Sequence, residues 1–191
     1  MSTAIANPLQ SLINQAAKEE SIGTVTKLRQ RAQTGNETVV ILADISTSMD
    51  ESAGNRKKIE ILRDALASVW PAALNARLIG FSSLPVHLSD PACLPSPFGS
   101  TALHLAIDSA KCLLPSRTVI ISDGRPDNEM TAFAAADKLS GRIDVIYCGP
   151  EGDTQAILFM QLLARQTGGC CYVTAPQNLL EPIKRLLFLN S

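Results

Sequence analysis

Short apolar runs alternate along this chain with longer stretches whose apolar residues recur at helical spacing. Thr38 to Ala43 (TVVILA) is β-branched and apolar, and Ile59, Leu62, Leu66, Val69 and Trp70 then form a stripe that fits one helix face. Ala76 to Phe81 (ARLIGF) reads as the next strand and Pro85 to Leu88 as a short edge strand. Leu103, Ile107, Ala110 and Leu114 line another helix. After them the pattern predicts a strand at Thr118 to Ser122, a helix at Thr131 to Leu139, a strand at Ile143 to Cys148 and a helix at Ile157 to Gln166. Cys170 to Thr174 closes the strands, and Ile183, Leu186 and Leu187 mark a last helix. Strands apolar on both faces, separated by helices, predict a doubly wound α/β architecture: a mostly parallel central sheet with helices on both faces.

Ahead of the first strand, Asn7 reads as an N-cap with Pro8 at the first helical position, and Leu9, Leu12, Ile13, Ala16 and Ala17 follow with helical spacing. A polar piece through Lys27, Leu28, Arg29 and Arg31 leads to the turn signal Gly35-Asn36. The expected organisation is an N-terminal helical extension, residues 1–36, read as a cover for the sheet, and one α/β domain, residues 37–191. With 191 residues and 46% hydrophobic content, the chain is long enough to bury a core without staples.

Charge narrows the partners. Seventeen Lys and Arg stand against eighteen Asp and Glu, for a net charge of −1, and the longest basic block is Arg56-Lys57-Lys58. Nothing advertises nucleic-acid binding, and the triplet reads as the solvated start of a helix. The five cysteines (Cys93, Cys112, Cys148, Cys170, Cys171) lack CxxC spacing, and the only histidines are His87 and His104, so neither a zinc site nor a disulfide framework is expected. Cys170 and Cys171 suit small, half-buried strand positions. The N-terminus has no basic region followed by an apolar core, and no stretch reaches membrane-spanning length; a reduced, cytoplasmic setting without membrane contact is expected.

Three polar clusters fall at carboxyl ends of predicted strands or before a helix, where such sheets bind ligands: Asp44-Ile45-Ser46-Thr47-Ser48, Gly99-Ser100-Thr101 and Asp123-Gly124. In an extended segment, alternation puts Asp44, Ser46 and Ser48 on one side. With Thr101 and Asp123 the set is all oxygen, which suits Mg²⁺ or Mn²⁺. Two carboxylates neutralise a divalent ion, while hydroxyls leave it electrophilic toward an outside carboxylate. Singly, each cluster has an ordinary explanation as a helix cap or turn. Asp50, Glu51 and Asp127 read as acidic residues complementing helix dipoles rather than as a second ion site, and Arg125 as an exposed turn residue.

Taken in order, DISTSMD, GSTAL and ISDGRPD resemble the three-part metal-ion-dependent adhesion site of von Willebrand factor type A domains, and the order of elements from Thr38 to Leu189 is similar to that family's. The resemblance implies a Rossmann-like fold and a metal held by Asp44, Ser46 and Ser48 (the DxSxS motif), Thr101 (the lone threonine) and Asp123 (the DG turn). It also implies a non-catalytic role in which a partner protein completes the coordination with an Asp or Glu. Compact bacterial members of the family often act beside MoxR-type AAA+ ATPases, so such an ATPase or its client is a candidate partner.

Four other readings compete. A haloacid-dehalogenase-like phosphohydrolase also ends its first strand in a nucleophilic aspartate, but Ser46 stands where that chemistry needs a second aspartate as acid and base. A nucleotide-binding domain lacks its glycines, since neither GxGxxG nor GxxxxGK[ST] follows the first strand, and no GxSxG elbow marks a serine hydrolase. The remaining class is a metal-free structural adaptor.

Overall fold

The computed structural model describes residues 38–70 and 76–189, which fall in the unit Thr38–Ser191. The helix expected around Leu9, Leu12 and Ile13 lies outside the described residues. In chain order, strand β1 (Val39–Asp44) leads through a tight turn into a two-residue hairpin, β2 (Ser52–Ala53) and β3 (Arg56–Lys57), and then helix α1 (Lys58–Val69). Strands β4 (Ala76–Phe81) and β5 (Pro85–Leu88) follow, then α2 (Leu103–Lys111), β6 (Arg117–Ser122), α3 (Glu129–Ala136), β7 (Arg142–Tyr147), α4 (Thr154–Gln166), β8 (Cys171–Val173) and α5 (Leu180–Lys184).

The six-stranded sheet runs β5-β4-β1-β6-β7-β8, and every pairing is parallel except the β4–β5 edge hairpin. The chain leaves β1 for β4 on one side and later returns to β6 on the other. The strand order therefore reverses at β1, and the crevice beyond its carboxyl end is where open α/β sheets take ligands.

Two cores flank the sheet. Val40, Leu42, Ile79, Phe81, Ile120, Val145 and Tyr147 pack under α2, α3 and α4, while Ile41, Ala43, Val119, Ile121 and Ile146 pack under α1 and α5. Alternate residues of β1 thus go to opposite cores, the reason its sequence is apolar without a break. No described helix is long and apolar enough to cross a membrane.

Several positions differ from the expected pattern. Helix α3 starts at Glu129 because Asn128 caps it, accepting from Thr131 N–H at 3.0 Å, and α4 starts at Thr154 because Asp153 accepts from Ala156 N–H at 3.0 Å. The last helix is short, and a π turn at Arg185–Leu189 carries Leu186 into the core. Lys58, expected in solvent with its two basic neighbours, is buried instead, and Cys170 is exposed just outside β8.

One ion pair ties the carboxyl-terminal segment to the sheet. Arg117 Nε donates to Asp144 at 2.6 Å and its guanidinium also reaches the Leu186 carbonyl, while Asp144 accepts from Arg142 Nε at 3.2 Å and Cys170 N–H at 2.8 Å. Removing the carboxylate leaves a buried guanidinium without its counter-charge. Asp144→Ala is expected to cost about 3–5 kcal/mol in urea unfolding; a loss below about 1 kcal/mol would contradict this account of the anchor.

Candidate metal centre

Asp44 is the last residue of β1, in register with Phe81 on β4 and beside Ser122 at the end of β6. Its side chain is completely buried. Oδ1 accepts from the Ser46 N–H at 2.8 Å and Oδ2 from Ser122 Oγ at 2.6 Å. The chain stays extended only through Ser46; Thr47–Asp50 form a 3-10 turn pinned by the buried Met49. Strand alternation therefore accounts for Ser46 but not for Ser48, which the turn brings back. Ser46 Oγ and Ser48 Oγ lie 3.1 Å apart, and Ser48 Oγ donates to Asp123 Oδ1 at 2.7 Å. Four of the expected residues, Asp44, Ser46, Ser48 and Asp123, form one continuous set of bonds.

Thr101 sits in the loop between the other two clusters. Thr47 fastens to the Gly99 carbonyl by both N–H (3.2 Å) and Oγ1 (2.9 Å), and Ala102 N–H reaches the Ser82 carbonyl at 2.9 Å. Gly99 has φ +72°, and a Cβ there would come within 2.4 Å of Ser83 Oγ, so the loop requires glycine at this point. On the far side, Asp127 accepts from Thr101 N–H at 2.9 Å and Ser100 Oγ at 2.6 Å. Asp127 is thus a clamp between loops rather than a dipole partner. The half-buried Thr101 hydroxyl forms no hydrogen bond among the described residues.

Asp123 is nearly buried, and its second oxygen accepts from Lys58 Nζ at 2.6 Å, while the same ammonium reaches Glu51 Oε2 at 2.7 Å. Asp50 pairs with Lys57 at 2.8 Å, so both acidic residues after the motif pair with lysines at the start of α1. Gly149, beyond β7, holds the loop from below: a Cβ there would lie 2.0 Å from the Asp123 carbonyl oxygen and 2.5 Å from the Tyr147 hydroxyl. Above Gly124 there is open space, with nothing within 4 Å of a built Cβ. A cavity of about 520 Å³ opens alongside, lined by Arg125, Asp127 and Met130 among others. A larger groove of about 660 Å³, near Val69, Tyr172 and Phe188, shares no residue with the centre.

Burial, reinforced by the nearby Asp123, pushes the Asp44 carboxyl up to about 6 against the pull of its bonds to Ser122 and Ser46. Above that pH the buried charge costs roughly 2–3 kcal/mol, and the cost vanishes below the ordinary carboxyl value. Burial likewise opposes the charge on Lys58, but its bonds to Asp123 and Glu51 outweigh it and hold the group above the usual lysine range. Cys148 is no thiolate donor, since burial pushes its thiol far up.

Among the described residues no three His, Cys, Asp or Glu side chains gather as metal ligands. The donor set at the rim has a different make-up, with two carboxylates and the rest hydroxyls. Such an all-oxygen set, with a buried carboxylate that accepts only from neutral donors among the described residues, fits a hard divalent ion. His87 Nε2 lies 2.7 Å from Ser109 Oγ at the exposed β5 edge, where no carboxylate joins them among the described residues.

The architecture has counterparts among solved structures. An aerotolerance-related membrane protein from Bacteroides fragilis, carrying multiple mutations to serine, is 17% identical with a TM-score of 0.56, over 78% of this chain and 96% of that one. The pilus adhesin SpaC from Lactobacillus rhamnosus GG has a TM-score of 0.61 at 12% identity, over 80% of this chain and 30% of the adhesin. The RO (RSR) protein of Deinococcus radiodurans has a TM-score of 0.51 at 14% identity, over 76% and 33%. This chain therefore spans about a third of the latter two proteins. No family model and no curated protein matches it. At these identities the likeness is one of fold, and that fold is von Willebrand factor A-like: a mostly parallel six-stranded sheet with helices on both faces.

Two expectations follow for the metal-free protein. Asp44→Asn removes the buried charge while Ser122 can turn to accept, so unfolding stability should be unchanged or higher by up to about 2 kcal/mol at pH 7; a loss above about 2 kcal/mol would refute the charge argument. Gly149→Ala should cost about 3 kcal/mol by overpacking, against less than about 0.5 kcal/mol for Gly124→Ala. Equal costs in chemical denaturation would show that Gly149 does not hold the Asp123 loop.

Proposed function

We propose that this chain is a non-catalytic, metal-dependent protein-binding module in which Asp44, Ser46, Ser48, Thr101 and Asp123 hold Mg²⁺ or Mn²⁺. The observation that carries the reading is the unbroken set of bonds from Asp44 through Ser46 and Ser48 to Asp123 at the switch point of the sheet. When bound, the ion would supply an electrophilic centre for a carboxylate from outside. The chain's own residues do the rest. Asp44 and Asp123 provide the formal negative charge, Ser46, Ser48 and Thr101 provide neutral oxygens, and the Gly99–Thr101 and Asp123–Asp127 loops fix their positions.

The open space over Gly124 gives a partner's Asp or Glu a path to the rim, and the loops around it, with exposed Phe98 and Met130, supply specificity. One similarly folded protein is a pilus adhesin, which accords with a binding role. A multi-protein bacterial system, with a MoxR-type AAA+ ATPase or its client as the partner, is the setting we infer from the motif. Ser46, at the position of a phosphohydrolase's acid, has its hydroxyl next to that of Ser48 and provides no proton of suitable acidity, so hydrolysis is not proposed.

Calorimetry with Mn²⁺ or Mg²⁺ should give one site in the wild type and none in Asp44→Ala or Asp123→Ala; unchanged binding in both variants would reject these ligands. A partner drawn from host lysate should be lost with chelator and with Ser48→Ala, at unchanged circular dichroism. Retention under every condition would assign the contact to another surface. Generic phosphoesters should show no turnover, and metal-dependent hydrolysis abolished by Asp44→Asn would make the chain an enzyme.

A further inference from the structure

Lys58 differs from the two basic residues before it. The side chains of Arg56 and Lys57 are 47% and 48% exposed and pair at the surface, whereas that of Lys58 is 8% exposed and runs from the first turn of α1 into the rim. Its Nζ bonds one oxygen of Asp123 at 2.6 Å, and the other oxygen accepts from Ser48. Each oxygen of Asp123 therefore has one donor, a neutral hydroxyl on one and an ammonium on the other. The second partner of the ammonium, Glu51, is 65% exposed and reaches in from solvent at 2.7 Å. The lysine stem is flexible and its head is a compact point charge, so it can let go of one carboxylate while keeping the other.

The geometry points to Lys58 as a displaceable internal cation: it neutralises Asp123 in the metal-free protein and yields that carboxylate, keeping Glu51, when a divalent ion is bound. The inference rests on the metal-site reading above and adds a control to it. An ammonium and a divalent ion on one buried carboxylate repel each other strongly, because little water lies between them. That repulsion is relieved when Lys58 leaves Asp123 Oδ2 and keeps Glu51, and the loss of the Lys58–Asp123 bond weakens affinity for the ion alone. A partner's carboxylate adds a ligand and offsets that loss, so occupancy by metal and by partner become linked. Lys58 thereby keeps the module from closing on metal without its partner.

The test is Mn²⁺ titration of the full chain by calorimetry, comparing wild type with Lys58→Met, together with thermal unfolding with and without Mn²⁺. Lys58→Met should bind Mn²⁺ about tenfold more tightly or better, unfold at a lower temperature without metal, and gain more from saturating Mn²⁺ than the wild type. Equal or weaker binding by a folded Lys58→Met would overturn the proposal. If that variant does not fold without metal, Glu51→Gln reads the same displacement with the opposite sign. It should weaken Mn²⁺ binding more than Asp50→Asn, an equal change of charge at a carboxylate that pairs with Lys57; equal effects would also overturn the proposal. Absence of Mn²⁺ binding in wild type and Lys58→Met alike would bring down the metal-site reading together with it, whereas equal binding in both leaves that reading standing and removes only the role of Lys58.

Discussion

Asp44 is a carboxylate shut away from water at the end of the middle strand, and the rim of the sheet is organised around that burial. Its position requires partners on both sides that end at the same level, which a parallel ladder supplies: Phe81 on β4 closes one flank and Ser122 on β6 brings a hydroxyl to the other. Each oxygen then has one donor, yet the charge itself has none of the opposite sign in contact. Bonds to neutral donors soften a buried charge without cancelling its desolvation. The fold thus maintains a local demand for positive charge, and the hydrophobic cores on the two faces of the sheet provide the stability that permits it.

Sequence periodicity gave away the sheet because buried parallel strands are continuously apolar, and β4 and β5 fall at the expected residues. Helix starts were legible in principle, since Asn128 and Asp153 are ordinary caps, but apolar spacing alone placed the first helical residue two positions late in α3 and three late in α4. The π turn after α5 leaves no such trace, because its spacing imitates the continuation of a helix.

The centre divides in the same way. Residues announced by local motifs, the DxSxS segment and the DG turn, are the ones that the structure joins by direct bonds, although Ser48 arrives through a 3-10 turn rather than by alternation. Residues that act from a distance were invisible. Ser122 contacts Asp44 across 78 positions and Lys58 contacts Asp123 across 65; Ser122 lies inside the ISDGRPD segment, but nothing in that segment names its partner, and Lys58 belongs to no motif. Gly149 acts only by lacking a side chain. A basic triplet reads as solvated surface until the turn of α1 is known, and that turn sends Arg56 and Lys57 outward and Lys58 inward.

The two carboxylates are therefore not equivalent, and the difference bears on what the rim can hold. Asp123 is matched by an ammonium and Asp44 is not, so the buried groups together lack a single positive charge, while Glu51 stays largely in solvent, where its charge is screened. A divalent ion brings more than that deficit. Were the rim built of carboxylates alone, the ion would be neutralised within the protein and a further anion would gain little by approaching. With hydroxyls in place of additional carboxylates and a lysine among the neighbours, filling the centre leaves an excess of positive charge at a low-dielectric edge, open to solvent over Gly124. On the proposed reading, the same lysine that would oppose the ion in isolation would favour an outside carboxylate beside it, so that one buried side chain would both lower the affinity for metal alone and raise the value of a partner's acid.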